Sequence, residues 1–202
     1  MKVGWVLGWA VPEAWFADLA RAALPGAGHV FVEAGPEAIS QLEMQGAFDW
    51  IVGYSLGTHL LLSEAERASR LGRVALLAPI FAFPREAELG GRVARAQVRQ
   101  LARWLRREPA AALADFYRCA GLDVPDELGP TAGTQNLRWG LERLENGSVR
   151  PPLPAGWCAW CGADDALLDV ARLQVIAPEI QIVAGATHHP TALLRAWAEG
   201  RG

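Results

Sequence analysis

The sequence predicts an α/β protein built on a mostly parallel sheet of about six strands, with helices on both faces. Short apolar runs alternate with amphipathic segments over the first eighty residues, and the alternation resumes after residue 155. Such alternation is typical of βαβ units, whose strands are parallel. Between these halves, residues 80–154 are rich in arginine and contain no apolar run typical of a strand. We therefore expect a core formed by residues 1–79 and 155–202, with residues 80–154 inserted as a helical lid.

Each predicted element follows from a local pattern. Strands are predicted where short runs are mainly apolar, and helices where apolar residues recur with a period near 3.6. The predicted strands are residues 2–7, 29–34, 48–54, 73–78, 156–161 and 180–185. The predicted helices of the core are residues 12–23, 36–46, 56–71, 168–176 and 190–199. The prolines in "RPPLP" (150–154) end the insertion, because proline removes a backbone donor and resists helix continuation.

Composition narrows the class of protein. The chain has 202 residues, enough for one domain with a substantial core, and its hydrophobic content of 51% excludes disorder. A net charge of -3 gives no reason to expect nucleic acid or an anionic membrane as a partner. Three cysteines do not make a disulfide framework, which fits a reducing compartment.

The apolar N-terminus raises the question of a signal peptide. Pro12 and Glu13 interrupt the apolar run early, and no convincing small-residue cleavage site follows. The longest apolar run, residues 74–83, is far too short to span a bilayer. We therefore expect a soluble cytoplasmic protein.

The most specific motif is "GYSLG", residues 53–57, which matches G-x-S-x-G between a predicted strand and a predicted helix. Glycines are needed there because the turn is so tight that side chains would collide with neighbouring backbone. Ser55 is pushed out at the edge of the sheet, and the start of the following helix favours developing negative charge. This context predicts that Ser55 is a nucleophile.

A serine hydroxyl is a poor nucleophile, so Ser55 needs a base and an acid that orients the base. In this architecture the chain order is Ser, then Asp or Glu, then His. Two histidines lie far enough downstream, His188 and His189, in a loop after a predicted strand. The stretch "CGADD" brings Asp164 and Asp165 to the same edge of the sheet.

Cys158 and Cys161 have the C-x-x-C spacing of a redox centre or half a zinc site. On a strand, residues three apart point to opposite faces, so these thiols cannot readily share a metal or form a disulfide. We therefore expect core cysteines and no metal site. His59 lies one turn after Ser55 and could be a second base, but chain order and a core-facing position favour packing. His29 is expected at the surface.

Four stretches, "VLGWAVPEAW", "GYSLG", "WCGADDALL" and "GATHHP", resemble the motifs of the α/β-hydrolase family. Within it they are most similar to the pimeloyl-acyl-carrier-protein methyl ester esterases of biotin synthesis. The likeness covers most of the chain and is looser in the insertion, where "GLERLENGSVRPPLP" resembles the return of the lid to the sheet. The resemblance implies the α/β-hydrolase fold and a serine carboxylesterase that needs no metal or organic cofactor.

The resemblance also implies roles for individual residues. The family's G-x-x-D motif places the acid at Asp165, with Asp164 as second choice, and its histidine loop places the base at His188. The oxyanion hole would consist of the backbone N–H groups of Trp9 and Leu56. The sequence departs from the family at Leu7, where a histidine usually precedes the oxyanion glycine.

For the substrate, the resemblance implies a carrier-bound medium-chain dicarboxylate methyl ester, with acyl carrier protein as partner. The alternatives are a small carboxylesterase or thioesterase acting on free esters, and a hydrolase-fold protein that binds without catalysis. Six aromatic residues occur where an apolar acyl pocket would have its walls, although ordinary packing would also explain them. They are Trp9, Phe81, Phe83, Phe116, Tyr117 and Trp139.

An arginine stripe is predicted on the first helix of the insertion, in "RVARAQVRQLARWLRR". At 100° per residue its arginines fall within a face about 80° wide, opposite an apolar face with Val98 and Leu105. The stripe consists of Arg92, Arg95, Arg99, Arg103 and Arg106. It has no interleaved glutamate on its own helix, so it is either a solvated face or a dock for an acidic carrier protein. The resembling esterases use lid arginines for such docking.

Overall fold

Six parallel strands form the central sheet of the computed structural model, which describes residues 1–130 and 132–200. In chain order they are β1 (Lys2–Val6), β2 (Gly28–Val32), β3 (Trp50–Tyr54), β4 (Arg73–Leu77), β5 (Cys158–Gly162) and β6 (Gln181–Val183). Their order across the sheet is β2-β1-β3-β4-β5-β6. This arrangement confirms the predicted mostly parallel sheet with helices on both faces.

The helices follow the predicted alternation. Those of the core are α1 (Glu13–Ala23), α2 (Ala38–Met44), α3 (Leu56–Ser63), α4 (Ala65–Leu71), α8 (Val170–Ile176) and α9 (Pro190–Gly200). Those of the insertion are α5 (Arg95–Arg107), α6 (Pro109–Ala120) and α7 (Thr134–Asn146). Most bounds lie within two or three residues of the predicted ones, because apolar periodicity locates an element better than it locates its ends.

The core contains large aromatic side chains from both the sheet and the helices. Trp5 of β1 is fully buried and meets Phe16 of α1 and Trp197 of α9 edge to face, with ring centroids 5.5 and 5.4 Å apart. Every residue of β3 is buried, which explains its almost continuous apolar sequence. The strand that Ser55 follows therefore lies inside the core.

The single helix predicted over residues 56–71 is instead two helices. The helical backbone breaks at Glu64, whose φ of -119° and ψ of 36° are not helical. The Ser63 hydroxyl donates to the carbonyl oxygen of His59 at 2.7 Å, a bond of the kind that bends helices. The apolar pattern alone could not reveal this break, because it continues across it.

The residues between β4 and β5 fold mainly as α5, α6 and α7, preceded by a 3-10 turn at Arg85–Ala87. Proline opens α6 at its first position, and Gly121 ends it with a φ of 66°, which favours glycine. Helix α5 packs against both α6 and α7. In residues 1–130 and 132–200, no helix is both long and apolar enough to cross a lipid bilayer.

Candidate active site

Ser55 lies in a sharp turn between β3 and α3 and adopts a strained backbone conformation, with φ of 52° and ψ of -119°. Such a conformation persists only where the surroundings enforce it. Both glycines of the motif are sterically required. A Cβ atom on Gly53 would lie 2.8 Å from the Thr58 nitrogen, and one on Gly57 would lie 2.0 Å from the Val6 oxygen. The turn holds the Ser55 hydroxyl at the carboxyl edge of the sheet.

The structure brings Ser55, His188 and Asp165 into one hydrogen-bonded chain. The Ser55 Oγ lies 3.0 Å from His188 Nε2, and His188 Nδ1 lies 2.8 Å from Asp165 Oδ2. His188 and Asp165 are each 1% exposed, while Ser55 is 8% exposed. The carboxylate favours the tautomer in which Nδ1–H donates to Asp165, which leaves Nε2 free to accept the Ser55 proton.

The structure also distinguishes Asp165 from Asp164. The second carboxylate oxygen of Asp165, Oδ1, accepts hydrogen bonds from the backbone N–H groups of Leu167 and Leu168, at 2.8 and 3.0 Å. These bonds fix the carboxylate in a short turn after β5. The Asp164 side chain is exposed, and this residue meets the histidine loop through its backbone N–H, which donates to the Ala186 oxygen.

His189 has a different environment from His188. Its Nε2 lies 2.7 Å from Asp123 Oδ1 in the insertion, and its ring meets Trp15 edge to face at 5.3 Å. This hydrogen bond is the main reason that the pKa of Asp123 is lowered. His189 therefore links the histidine loop to the insertion, and His188 is the histidine that faces Ser55.

The predicted oxyanion amides lie at the point where the strand order of the sheet reverses. The chain runs outward from β1 to β2 and then crosses to β3 on the other side of β1, and ligands of parallel α/β sheets bind at such points. Val6 pairs with Gly53 across β1 and β3, so Trp9 and Ser55 follow neighbouring strand ends. A Cβ atom on Gly8 would lie 3.2 Å from the Ser55 Cβ. Leu56 opens α3, where an amide has no partner within its own helix.

Tyr54 supports the histidine loop, a role that the sequence did not indicate. Its hydroxyl donates to the His188 backbone oxygen at 2.8 Å. Burial raises the pKa of Tyr54 well above its ordinary value, and the nearby Asp165 carboxylate adds to the shift. The phenol therefore remains a donor at any physiological pH. A tyrosine inside a buried strand gives no local signal of such a contact.

Comparisons with known proteins agree with this geometry at the level of the fold. No protein-family model matches the sequence, and no curated protein matches it. An esterase from Exiguobacterium antarcticum superposes with a TM-score of 0.74 at 12% identity, covering 99% of this chain and 92% of that one. The chain has the α/β-hydrolase fold.

Two further solved structures are similar to this chain. A thermophilic esterase from Thermogutta terrifontis has a TM-score of 0.67 at 14% identity, covering 98% of this chain and 88% of that one. BioG from Haemophilus influenzae has a TM-score of 0.61 at 16% identity, covering 93% of this chain and 88% of that one. At such identities the likeness establishes the fold alone.

The remaining titratable candidates lie away from the hydrogen-bonded chain of Ser55, His188 and Asp165. His59 is 1% exposed, and its Nδ1 lies 3.2 Å from the Ile80 oxygen. Burial and then the charge of Arg143 lower its pKa to about 4. His29, expected at the surface, is half-buried: its Nδ1 accepts a hydrogen bond from the Trp5 indole at 3.0 Å, and its ring lies nearly parallel to the neighbouring Trp5 and Phe31 rings, with centroids 5.9 and 5.8 Å away.

Cys158 and Cys161 are separate free thiols on β5. Cys161 is fully buried, and the Sγ of the half-buried Cys158 lies 3.5 Å from the Val74 oxygen. Burial raises the pKa of Cys158 to about 11 and raises that of Cys161 further. Neither thiol is therefore primed as a thiolate at neutral pH.

A mainly apolar cavity of about 360 Å³ lies between the insertion and the turn that carries Asp165. Three of the six predicted wall residues line it: Trp9, Phe83 and Phe116. The Trp9 indole donates to the Leu137 oxygen at 2.8 Å and meets the Phe116 ring edge to face at 4.6 Å. Trp9 thus connects the predicted oxyanion loop to the cavity wall.

The other three predicted wall residues lie elsewhere. Phe81 is fully buried in the core, and Tyr117 donates its hydroxyl to the Ala10 oxygen at 2.6 Å. Trp139 lines a surface depression on the outer side of α7, because that helix turns Leu137 and Leu141 inward instead. These three residues therefore do not line this cavity, and their sequence positions gave no information on the direction of each ring.

The arginine stripe is interrupted in two ways. Helix α5 begins at Arg95, so Arg92 precedes it and donates from Nη1 to the Asp165 backbone oxygen at 3.2 Å. Arg99 pairs with Glu145 of α7 at 2.6 Å. The expectation that all five arginines lie on one helix is therefore wrong for Arg92, and Arg99 has a glutamate partner on another helix. The partner of Arg99 is 46 positions away in the sequence, beyond the reach of helical periodicity.

The predicted apolar face of α5 is confirmed, since Val98 and Leu105 are buried. Arg95 reaches Asn146 with its guanidinium, at 3.3 Å. Arg103 and Arg106 line a surface cleft between α5 and α7, together with Arg138, Glu142 and the Arg99–Glu145 pair. Arg138 adds a cation from a second helix, which the sequence did not associate with the stripe.

Proposed function

We propose that this protein is a serine esterase. The observation that carries the proposal is the hydrogen-bonded chain from Ser55 through His188 to Asp165, built on a strained turn at the carboxyl edge of the sheet. A binding protein would have no need for a strained serine, a buried histidine and a buried carboxylate in this order.

In the proposed reaction, Ser55 Oγ attacks the ester carbonyl carbon while His188 Nε2 takes its proton. Asp165 holds the imidazole in the required tautomer and stabilises its positive charge. The backbone N–H groups of Trp9 and Leu56 donate to the developing oxyanion. His188 then protonates the departing alcohol, which leaves an acyl group on Ser55. A water molecule, deprotonated by His188, releases the acid.

The favoured substrate is the methyl ester of a pimeloyl-type acyl group on acyl carrier protein. The resemblance of the four sequence motifs supports this choice, and so does the apolar cavity, whose volume of about 360 Å³ suits a medium-length chain. The cleft with Arg103, Arg106 and Arg138 offers guanidinium groups to an acidic carrier and its phosphate.

A second candidate is hydrolysis of free acyl esters or thioesters. One observation favours it: Arg99 is engaged by Glu145, Arg92 by the Asp165 backbone and Arg95 by Asn146, so three of the five predicted docking arginines already have partners. The triad and the cavity would be used in the same way. The two candidates differ only in whether the surface of the insertion recognises a protein.

The test compares a carrier-bound pimeloyl methyl ester with p-nitrophenyl butyrate. Replacing Arg103, Arg106 and Arg138 together by Gln should lower kcat/KM for the carrier substrate alone, and added salt should slow the wild-type enzyme on it. Replacing the exposed Arg21, Arg70 and Arg195 by Gln is the control for loss of three positive charges. Equal effects on both substrates, or a carrier rate that ignores salt, would favour free esters.

A further inference from the structure

A short segment of the insertion, Glu88–Val93, runs alongside the turn that carries Asp165; we call this segment the strap. The Arg92 N–H donates to the Leu167 oxygen at 2.9 Å, and the Asp169 N–H donates to the Gly90 oxygen at 2.8 Å. Gly91 and Leu168 form an antiparallel bridge between the two segments. The strap therefore pairs, as two short strands would, with residues 165–169, which we call the acid turn.

The strap is fixed on its other side as well. The Arg85 N–H donates to the Val93 oxygen at 2.9 Å, and Pro84 bridges Val93. A Cβ atom on Gly91 would lie 1.9 Å from the Phe83 oxygen, so only glycine allows the strap to pass so close to the Phe83 backbone. Because hydrogen bonds anchor the strap on both sides, it can hold the acid turn in one position.

Among the described residues, Arg92 is the one residue of the strap whose side chain hydrogen-bonds to the backbone of the turn that carries Asp165. Its Nη1 donates to the Asp165 carbonyl oxygen at 3.2 Å, while its own N–H binds the Leu167 carbonyl oxygen. Together these bonds hold two carbonyl groups of one tight turn, and between them the Leu167 N–H binds the Asp165 carboxylate. A displacement of this backbone would move the Asp165 Cα and, with it, the carboxylate that meets His188.

We propose that Arg92 is a positioning residue, which holds the Asp165 backbone so that the carboxylate meets His188 in the geometry that the reaction needs. This inference rests on the proposed esterase function. Arg92 makes no hydrogen bond to Ser55 or His188 in the part of the chain that the structure describes, so it acts through Asp165. A hydrogen bond from a charged donor is stronger than a neutral one, which suits a contact at an exposed position.

A different role for Arg92 would be that of a wall residue, since it also lines the cavity. The two roles predict different kinetics. A wall residue affects long acyl chains more than short ones and acts mainly on KM. A positioning residue affects every ester, because the triad is common to all of them, and acts on kcat.

The experiment measures kcat and KM for p-nitrophenyl acetate and p-nitrophenyl octanoate. Arg92→Met removes the donor and keeps the length of the chain, Arg92→Lys keeps a charged donor, and Arg107→Met is a control at an exposed arginine of the same insertion. We expect Arg92→Met to lower kcat about tenfold on both esters with little change in KM, Arg92→Lys to recover most of it, and the control to behave as wild type.

Methylguanidinium should also restore part of the turnover of Arg92→Ala. Unchanged kcat in a folded Arg92→Met variant, or a loss confined to the octanoyl ester, would overturn the positioning role. If Arg92→Met does not fold, Arg92→Gln is measured with the same expectation. A wild-type protein that hydrolyses neither ester contradicts the proposed function itself, which separates that failure from failure of the inference about Arg92.

Discussion

The pH dependence of the free energy of unfolding tests whether the core buries His59 as a neutral imidazole. The ring is 1% exposed, and burial followed by the charge of Arg143 lowers its pKa from 6.5 to about 4. The folded protein therefore binds the His59 proton more weakly than the unfolded chain does. Keeping His59 neutral therefore costs the folded state nothing above the pKa of the unfolded chain. The free energy of unfolding decreases as the pH falls toward the pKa of His59 in the folded protein.

The size of the effect follows from these two pKa values, 6.5 and about 4. Linkage for a single site then gives a loss of about 2 kcal/mol in the free energy of unfolding between about pH 7.5 and about pH 5. The whole shift amounts to about 3 kcal/mol and would be reached below the folded pKa. An effect of this size is a large fraction of the stability of an ordinary domain.

The assay is urea unfolding at both pH values for the wild type and for His59→Gln. Glutamine does not titrate, and its amide can donate to the Ile80 oxygen as the imidazole Nδ1–H does. His29, whose pKa is also lowered, is present in both proteins and cancels in the comparison. The wild type should lose about 2 kcal/mol more than the variant between the two pH values. Equal losses would refute the argument, and loss of turnover in a folded His59→Gln would refute the packing role.

Three further predictions concern the site and its surroundings. Asp165→Asn should lower kcat by about ten-thousand-fold in an ester hydrolysis assay, because an amide favours the wrong tautomer of the histidine, whereas Asp164→Asn should have little effect; the reverse order would move the acid by one residue. Replacing Cys158 and Cys161 together by Ala should lower the melting temperature through lost packing and leave kcat/KM per folded molecule nearly unchanged; activity that follows thiol oxidation would contradict this. Leu101→Trp should narrow the cavity and slow hydrolysis of an octanoyl ester far more than that of an acetyl ester; equal slowing would show that acyl chains bind elsewhere.

The fold could be predicted because its signals are local. The almost continuous apolar sequence of β3 reflects a strand buried on both faces, and the two glycines beside Ser55 reflect a turn in which a Cβ atom would meet backbone. The same locality narrowed the acid to Asp164 or Asp165 and the base to His188 or His189, which follow predicted strands whose ends meet at one edge of the sheet. The resemblance to the α/β-hydrolase motifs then implied Asp165 and His188.

The parts of the site that the sequence did not reveal depend on contacts between distant segments. The pairing of Arg99 with Glu145 joins two helices, and Arg92 leaves its expected helix because the strap pairs with residues that follow Asp165. Trp139 is half-buried on the outer side of α7, although its sequence position fitted a pocket wall as well as that of Phe116 did. Helical and strand periods describe one element at a time, so they give no information about such pairings.

The central claim is that Ser55 is an activated nucleophile, and covalent labelling tests it most directly. The folded wild type is incubated with a fluorophosphonate probe, and the modified peptide is identified by mass spectrometry, with Ser55→Ala and His188→Ala as controls. We predict one adduct, on Ser55, which is absent in Ser55→Ala and forms at least a hundredfold more slowly in His188→Ala, since the imidazole removes the serine proton. A folded wild-type protein that is not labelled, or an adduct on another residue, would contradict the account.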